Sequence, residues 1–541
     1  MRRSGSVLLL SLLVIFALAF IIRIYPLVWS PYPYNIDGLG EAVMAGDIYA
    51  NGDFSIPADS GYRDSYIVDM PIMTSLIAMS SQIVGIEPMV FSQVLIAVIG
   101  AISCVAGALV VHMITGSQRI ALLGGLLLAL LGTYVFCTAS VWKETLGLTM
   151  MIFIAGFFIG RKDFRLRIAL TVALVAMTFI HHHSAVLTYL FFSFAVAGDA
   201  YLSRKNRSWS WNNYVDIGTM VLLWVLAVGY YQRIDLPYYG FLTPDEDLYL
   251  LIAVSCAMSL VLFAVLSRQS SKGSPRKLIR VSIPVVGLAI LSINYFRPIF
   301  PGIPPTEPMV FIFAAAYLVL LLPMWYGAER LLQSRERWIS AYLALIFAPL
   351  SMILFAFLRA LDATSHMIVY RTFDFLDLAM ALMFATGAVI MVRNLKKIGP
   401  VVIASLILVI AVTTPLAFQT EKLFGVHNQT YEYEVDAFDW MKSMSPVSTM
   451  DSDQRLSTTA GWLFNISSDA DLSYRIEIGM AVSSYDWLVL KSSWTTVGAQ
   501  QFPLGQNVID KETFDAFLSE RNVLLVSGPI DNQLIVAVES S

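Results

Sequence analysis

Between Leu8 and Phe418 the chain is a ladder of apolar stretches, and its basic residues crowd into every second gap. Those gaps carry Arg119; Arg161, Lys162, Arg165 and Arg167; Arg204, Lys205 and Arg207; Arg268, Lys272, Arg276, Lys277 and Arg280; Arg330, Arg335 and Arg337; and Arg393, Lys396 and Lys397. Short loops rich in Lys and Arg stay on the cytoplasmic side of a membrane. These gaps, with Arg2 and Arg3, are therefore expected inside. The other gaps hold isolated basic residues among acidic, aromatic and proline-rich sequence. They are expected outside, and any chemistry with them.

The ladder restricts the fold severely. A helical crossing takes about 20 mostly apolar residues to traverse roughly 30 Å of hydrocarbon. The stretches 7–26, 88–113, 119–139, 144–160, 167–181, 184–202, 214–231, 248–267, 279–296, 309–327, 338–358, 371–392 and 399–418 fit that description. They predict an α-helical polytopic membrane protein with about thirteen transmembrane helices, the N-terminus cytoplasmic and the C-terminus outside. With 57% apolar and 14% charged residues among 541, an ordinary soluble enzyme is excluded. The net charge of -4 conceals a segregation of sign, and the short basic loops are explained by topology, so no nucleic-acid partner is implied. Cys104, Cys137 and Cys256 all fall in apolar stretches and form neither a disulfide framework nor a CxxC metal site. The first stretch reads as an uncleaved crossing, because no small-x-small cleavage site precedes Arg23.

The apolar segment 71–86 is not counted as a crossing, since it would invert every later gap. It is expected as an amphipathic or re-entrant segment at the outer surface. Residues 27–87 then form one long first outer loop, rich in aromatics and carboxylates, attached to a transmembrane domain of residues 1–419. From residue 420 to 541 no crossing occurs. Helical patterns (VDAFDWMKSM, ETFDAFLSE) alternate with β-like runs (DWLVLKS, NVLLVSG, QLIVAVES), which predicts a small extracytoplasmic α/β domain. Asn428-Gln-Thr and Asn465-Ile-Ser are glycosylation sequons that this topology would make reachable, whereas Asn206-Arg-Ser would face inward.

The outer gaps supply the candidates for chemistry. Asp37, in YNIDGLGEA, lies just beyond the first crossing, with Glu41 one helical turn on. A carboxylate there can act as general base toward an acceptor hydroxyl or hold a divalent cation. Asp47, Asp53, Asp59, Asp64 and Asp69 read as ordinary loop acids. Lys143-Glu144 stands at the turn between the third and fourth stretches, either as an interfacial anchor or as a second carboxylate converging on substrate. His181, His182 and His183, followed by Ser184, are poorly spaced for chelation, which favours i, i+4 histidines on a helix. They suit hydrogen bonding to a phosphate or capping of a tight turn. Among the outer cations Arg297, Arg359 and Arg371, with His366, Arg371 is favoured as a phosphate ligand. It opens a stretch (YRTFDFLDL) at the hydrocarbon boundary, where it could instead snorkel or pair with Asp374 or Asp377.

Taken in order, FIIRIYPL, YNIDGLGEA, AGDIYANGDFSIP, MPIMTSLIAMSSQIVGI and VWKETLGL resemble the glycosyltransferase C superfamily over most of residues 1–200, and the topology does so throughout. The oligosaccharyltransferase catalytic subunits, the aminoarabinose transferases and the protein O-mannosyltransferases are similar in kind, and the HHHS turn resembles archaeal members. The resemblance implies a polyprenyl- or dolichyl-phosphate sugar as donor, a glycan or protein as acceptor, and membrane lipids as surroundings. It implies Asp37 as the catalytic acid of the first outer loop and Glu144 as a second acidic position. A divalent cation, Mg or Mn, could lie on Asp37 and Glu144 without being required. The Trp-Trp-Asp-Tyr-Gly motif of oligosaccharyltransferases has no counterpart; Gly461-Trp462 and Tyr485-Asp486-Trp487 do not match it. The expectation is therefore an inverting membrane glycosyltransferase working on the outer face of the cell membrane. In it Arg371, with His181–His183 or Lys143, would receive the leaving lipid phosphate. A glycan ligase of the oligosaccharyltransferase kind and a non-catalytic lipid or sugar transporter are the alternatives.

Overall fold

The computed structural model describes residues 2–52, 66–234, 246–268, 277–297, 307–333, 336, 338–360, 363–424, 427–445, 449–480, 485–501 and 505–539. Asp53, Asp59, Asp64, Lys272, Arg276, Arg335 and Arg337 lie outside the described residues. The chain divides into two compact units. The first is Met1–Arg23, Ala97–Thr138 and Lys143–Phe418; the second is Ile24–Ile96, Ala139–Trp142 and Gln419–Ser541. The first outer loop thus shares a unit with the C-terminal region.

The helices run in order α1 (Arg2–Ile24), α2 (Ile36–Asn51), α3 (Tyr66–Asp69), α4 (Ile72–Val84), α5 (Pro88–Thr115), α6 (Gln118–Leu130), α7 (Gly132–Ala139), α8 (Lys143–Gly160), α9 (Phe164–Met177) and α10 (His182–Lys205). They continue with α11 (Trp211–Arg233), α12 (Glu246–Arg268), α13 (Lys277–Phe296), α14 (Pro308–Leu332), α15 (Ile339–Arg359), α16 (Ala363–Phe373), α17 (Asp377–Leu395) and α18 (Gly399–Leu416). Among the described residues, nine helical stretches are long and apolar enough to cross a membrane, or ten if the bent pair α6–α7 is one crossing. Leu9, Leu10, Leu13 and Val14 of α1 are more than half exposed, the arrangement expected where lipid rather than water is the solvent. The segment 71–86 holds the 13-residue α4, too short to cross. It is two-faced, with Met73, Ile77 and Ala78 buried and Met79 and Ile83 exposed.

Three expected crossings differ in detail. Residues 119–139 are two helices bent by 64°. Residues 167–181 hold the 14-residue α9, which stops at Met177. Arg371 does not open a helix: it lies in the last turn of α16, and a 3-10 turn at Asp374–Leu376 leads into α17. The apolar window 371–392 hid this break because Asp374 and Asp377, which mark it, are buried and satisfied inside the unit.

The first unit is organised around its broken helices. Where α6 ends, the Arg23 side chain, itself fully buried, donates to the Leu128 carbonyl at 3.1 Å and the Ala129 carbonyl at 3.4 Å. Its Nε reaches Thr138 Oγ1 at 2.7 Å, on α7. From α18, Thr414 donates to the Leu130 carbonyl at 2.6 Å, and the Gly132 amide finds Thr413 Oγ1 at 3.0 Å. A cation at a helix C-terminus also meets the negative end of the helix dipole. Elsewhere α14 and α17 cross at Gly327 and Gly387, where a Cβ on either would overlap the backbone of the other. Ion pairs tie the gaps into sets. Arg161 bridges Asp199 at 2.7 Å and Asp216 at 2.9 Å, joining the α8–α9, α10–α11 ends. Arg359 meets Asp247 at 2.8 Å, joining α15 to α12.

In the second unit, the C-terminal residues form α19 (Thr420–Phe424), α20 (Glu432–Met444), α21 (Gln454–Phe464), α22 (Leu472–Ile478) and α23 (Lys511–Ser519). With them are strands β1 (Thr449–Asp451), β2 (Ser467–Asp469), β3 (Trp487–Lys491), β4 (Ala499–Gln501), β5 (Gly505–Asn507), β6 (Arg521–Ser527) and β7 (Leu534–Glu539). The α/β region expected here is present. Its main sheet has the order β2-β1-β3-β7-β6, with β1 parallel to β2 and β3, and β7 antiparallel to β3 and β6. WLVLK of β3 is buried throughout, as a central strand covered on both faces requires. Phe438, Met441, Leu456, Leu488, Leu490 and Trp494 form the core beside it.

That core contains a buried ionic group. Glu434 accepts from Arg455 Nη2 at 2.6 Å, Arg455 Nη1 at 2.7 Å and Lys491 Nζ at 2.7 Å. Burial pushes the Glu434 carboxyl up, but Arg455 and then Lys491 outweigh it and hold the group down at about 2. Because the folded value lies below the ordinary 4.5, the contribution is complete above pH 4.5 and is lost as pH falls toward 2.

Two outcomes follow for stability. Arg23→Met should lower the unfolding midpoint in detergent, since carbonyls left without donors cost roughly 1–3 kcal/mol each. Glu434→Gln should cost on the order of 3 kcal/mol at neutral pH and progressively less below pH 4.5, measured as thermal unfolding against pH.

Candidate functional site

The expected site residues fall into the two units, and each group is built differently. In the first unit, Lys143 and Glu144 form the first turn of α8, with exposures of 5% and 1%. His181 precedes α10 in extended conformation, and His182 and His183 open the helix. All three are buried, and the His181 and His182 rings lie 4.7 Å apart. His181 Nδ1 lies 2.9 Å from Ser184 Oγ, and His183 Nε2 lies 3.3 Å from Thr372 Oγ1. Thr372 is the neighbour of Arg371, so α16 and α10 meet at this point. Arg371 Nη1 stands 3.8 Å from Glu144 Oε2, and its Nε donates to the Tyr370 hydroxyl at 3.3 Å. Arg371 is within electrostatic reach of all three histidines, and Lys143 of His181 and His182. The structure therefore brings Lys143, Glu144, His181, His182 and His183, all buried, and the half-buried Arg371 into one cluster. His366 is exposed, its ring tilted against that of Tyr370 with centroids 6.0 Å apart.

Arg371 meets Glu144, and Asp374 also lies within its electrostatic reach. Asp377 accepts from Thr133 Oγ1 at 3.0 Å, and the Tyr317 hydroxyl donates to that same oxygen at 2.9 Å. Asp374 lies within reach of Asp377, Glu144 and Arg371 and contacts Cys137. Sequence reasoning treated these two acids only as partners. Ionisable residues inside apolar stretches mark functional regions by default, and that signal was present in FDFLD.

In the second unit, Asp37 lies in the first turn of α2, whose N-cap is Asn35. Asn35 Oδ1 accepts from the Asp37 amide at 2.9 Å. Within residues 33–42 Asp37 alone is only partly buried. Its approach is fixed from several sides. The Tyr34 amide donates to Gln93 Oε1 at 2.9 Å, and the Val141 amide donates to the Tyr34 carbonyl at 2.8 Å. A Cβ on Gly38 would fall 2.6 Å from the Val141 carbonyl oxygen, so only glycine permits this packing. Glu41 is 2% exposed and accepts a hydrogen bond from Thr74 of α4. Its carboxylate is thus engaged within the unit, whereas Asp37 remains partly open.

Asn428, expected to be a reachable sequon, is 1% exposed and hydrogen-bonded to Asn35 at 3.0 Å. The sequon rule ignores tertiary burial, and here the amide is a packing element. Asn465 is exposed, in the left-handed cap of α21, and Asn206 is exposed after α10. The cation expected on Asp37 and Glu144 would need residues of both units. Among the described residues no group of three or more His, Cys, Asp or Glu is placed to hold a metal ion.

No protein-family model matches the chain, and no curated protein matches it. Among solved structures it is similar to the archaeal oligosaccharyltransferase AglB from Archaeoglobus fulgidus, in complex with an inhibitory peptide and a dolichol-phosphate. The identity is 12%, 89% of this chain and 69% of that chain are covered, and the TM-score is 0.52. Fainter likenesses are to ArnT from Cupriavidus metallidurans bound to undecaprenyl phosphate (12% identity, 97% of each chain, TM-score 0.42) and to the arabinofuranosyltransferase AftD from Mycobacteria (13% identity, 100% of this chain and 40% of that one, TM-score 0.43). The chain shares its fold with AglB. It is an integral membrane protein with many helical crossings, as the ladder of apolar stretches implied.

Gly38→Val should crowd Val141 and Pro33 and destabilise the protein by roughly 1–3 kcal/mol, measured by thermal unfolding.

Proposed function

We propose that the protein is a membrane glycosyltransferase that moves a sugar from a polyprenyl- or dolichyl-phosphate donor to an acceptor hydroxyl. The observation that carries this reading is the clustering of Lys143, Glu144, His181, His182 and His183 with Arg371, within a fold shared with AglB. AglB is described with a dolichol-phosphate, which supports the class of donor. Two cations and three imidazoles stand with Glu144, and Asp374 lies within reach of both Glu144 and Arg371. Cationic and imidazole donors suit an oxyanion that becomes more negative as a bond breaks.

In the reaction, the acceptor oxygen attacks the anomeric carbon and its proton passes to Asp37. The new C–O bond forms as the bond from that carbon to the phosphate oxygen breaks, and the lipid phosphate leaves with the electron pair. Attack opposite the leaving group inverts the anomeric centre. Arg371 and Lys143 neutralise the charge on the departing phosphate, and the histidines donate to its oxygens. Asp37 suits the base because it is partly open among buried neighbours. A lipid-phosphate leaving group needs no nucleotide loop and no step through a cation. The alternation of basic gaps supports a cytoplasmic N-terminus, an extracytoplasmic C-terminus and work on the outer face of the cell membrane. Transfer of a whole lipid-linked glycan is the second reading, favoured by the likeness to AglB, itself an oligosaccharyltransferase.

The test is release of dolichyl phosphate by the purified full-length protein offered dolichyl-phosphate glucose, mannose, galactose and N-acetylglucosamine. At least one donor should turn over. Asp37→Asn should lower kcat by about 10²–10⁴, and Arg371→Gln by about 10²–10³. Turnover only with a pyrophosphate-linked oligosaccharide would select the second reading. An Asp37→Asn protein with full activity would remove that residue from the mechanism.

A further inference from the structure

We infer that Asn428 is a positioning residue for Asp37, acting through Asn35; this rests on the reading of Asp37 as the base. Asn35 has φ 108 and ψ 137, a conformation that residues with side chains rarely adopt. Strain of this kind persists only where the surroundings over-determine it, and it gathers at functional sites. Besides the contacts of Tyr34 with Gln93 and Val141, one distant residue holds Asn35 itself. The Asn35 amide donates to the Asn428 carbonyl at 2.7 Å, and Asn35 Nδ2 donates to Asn428 Oδ1 at 3.0 Å. Both residues are buried, at 4% and 1% exposure.

The clamp reaches the acid directly. With its nitrogen held by Asn428, the Asn35 side chain turns Oδ1 to the Asp37 amide at 2.9 Å, and its carbonyl accepts from Gly38 at 3.1 Å. The first turn of α2, and with it the Asp37 Cα, is oriented by a residue far along the chain. Asn428 is anchored in turn through its neighbours. The His427 amide donates to Gln500 Oε1 at 2.8 Å, and Arg455 donates to the Gln429 carbonyl at 2.9 Å. Arg455 is the same guanidinium that Glu434 holds. The ionic group in the C-terminal core therefore fixes the strand of chain that fixes the acid. A residue serving packing alone would not need to hold its partner in a strained conformation. A base that must sit within hydrogen-bond reach of one hydroxyl gains from such a hold.

The experiment uses the full-length protein in nanodiscs with whichever dolichyl-phosphate monosaccharide turns over. Asn428→Ala should lower kcat by about 10–100-fold, the size of a displacement near 1 Å, while donor KM stays within about threefold. Asn428→Asp keeps the Oδ acceptor and should recover most of the rate. Amide hydrogen exchange in 35–41 should quicken in Asn428→Ala, with 45–51 unchanged. An unaltered kcat, an equal loss in the Asp and Ala variants, or unaltered exchange in 35–41 would each overturn the inference. Should Asp37→Asn stay active, or no donor turn over, the assignment of the base or donor fails instead. The exchange measurement then decides the clamp by itself.

Discussion

A chain that breaks a helix inside hydrocarbon must find donors for the carbonyls it strands, because no water is there to supply them. The junction of α6 and α7 is such a break, bent by 64°. It is closed by Arg23 on the Leu128 and Ala129 carbonyls and by Thr413 and Thr414 at Leu130 and Gly132. These donors come from α1 and α18, the first and last helices of the membrane unit. One guanidinium and two hydroxyls thereby join the ends of the bundle to its middle. Beyond the bend, α7 presents the Cys137 carbonyl to Thr145 of α8, which donates to it at 2.8 Å. The turn that carries Lys143 and Glu144 follows from that arrangement.

The same rule governs the charged groups. Glu144, Asp374 and Asp377 are buried in a unit whose outside is apolar, and each is engaged with a cation, a hydroxyl or a thiol of another helix. Solitary charges would be expelled from such a place, whereas a mixed cluster is tolerated and has a directional field. A ligand phosphate entering it would meet donors already oriented. The second unit follows the soluble version of this logic, with Glu434 between Arg455 and Lys491 beneath a sheet.

Much of the architecture was legible in the chain. The ladder of apolar stretches and the C-terminal runs around Trp487, Val523 and Ile535 have the lengths and periods of the elements observed. Arg371 was joined to His181–His183 or Lys143 in the sequence only through the resemblance and the alternation of gaps; no local pattern links these positions. Other features were hidden for physical reasons. Residues 120–139 carry no charged side chain, so hydropathy gives no sign of the bend between Leu130 and Gly132. Arg371 was assigned to the wrong end of a helix because an apolar window does not register buried acids that have partners. Asn35 and Asn428 are ordinary in composition; their importance lies in a positive φ and in contacts across 393 positions. Local pattern carries no information at that range.

The second unit is assembled from three separate stretches, 24–96, 139–142 and 419–541. Its first stretch leaves the ribosome early and must wait through the insertion of most of the membrane helices before Asn428 exists to meet Asn35. Biogenesis thus delivers the acid-bearing helix long before its clamp. A nascent chain holds Asn35 without its hydrogen bonds to Asn428, which form only with the final stretch of synthesis.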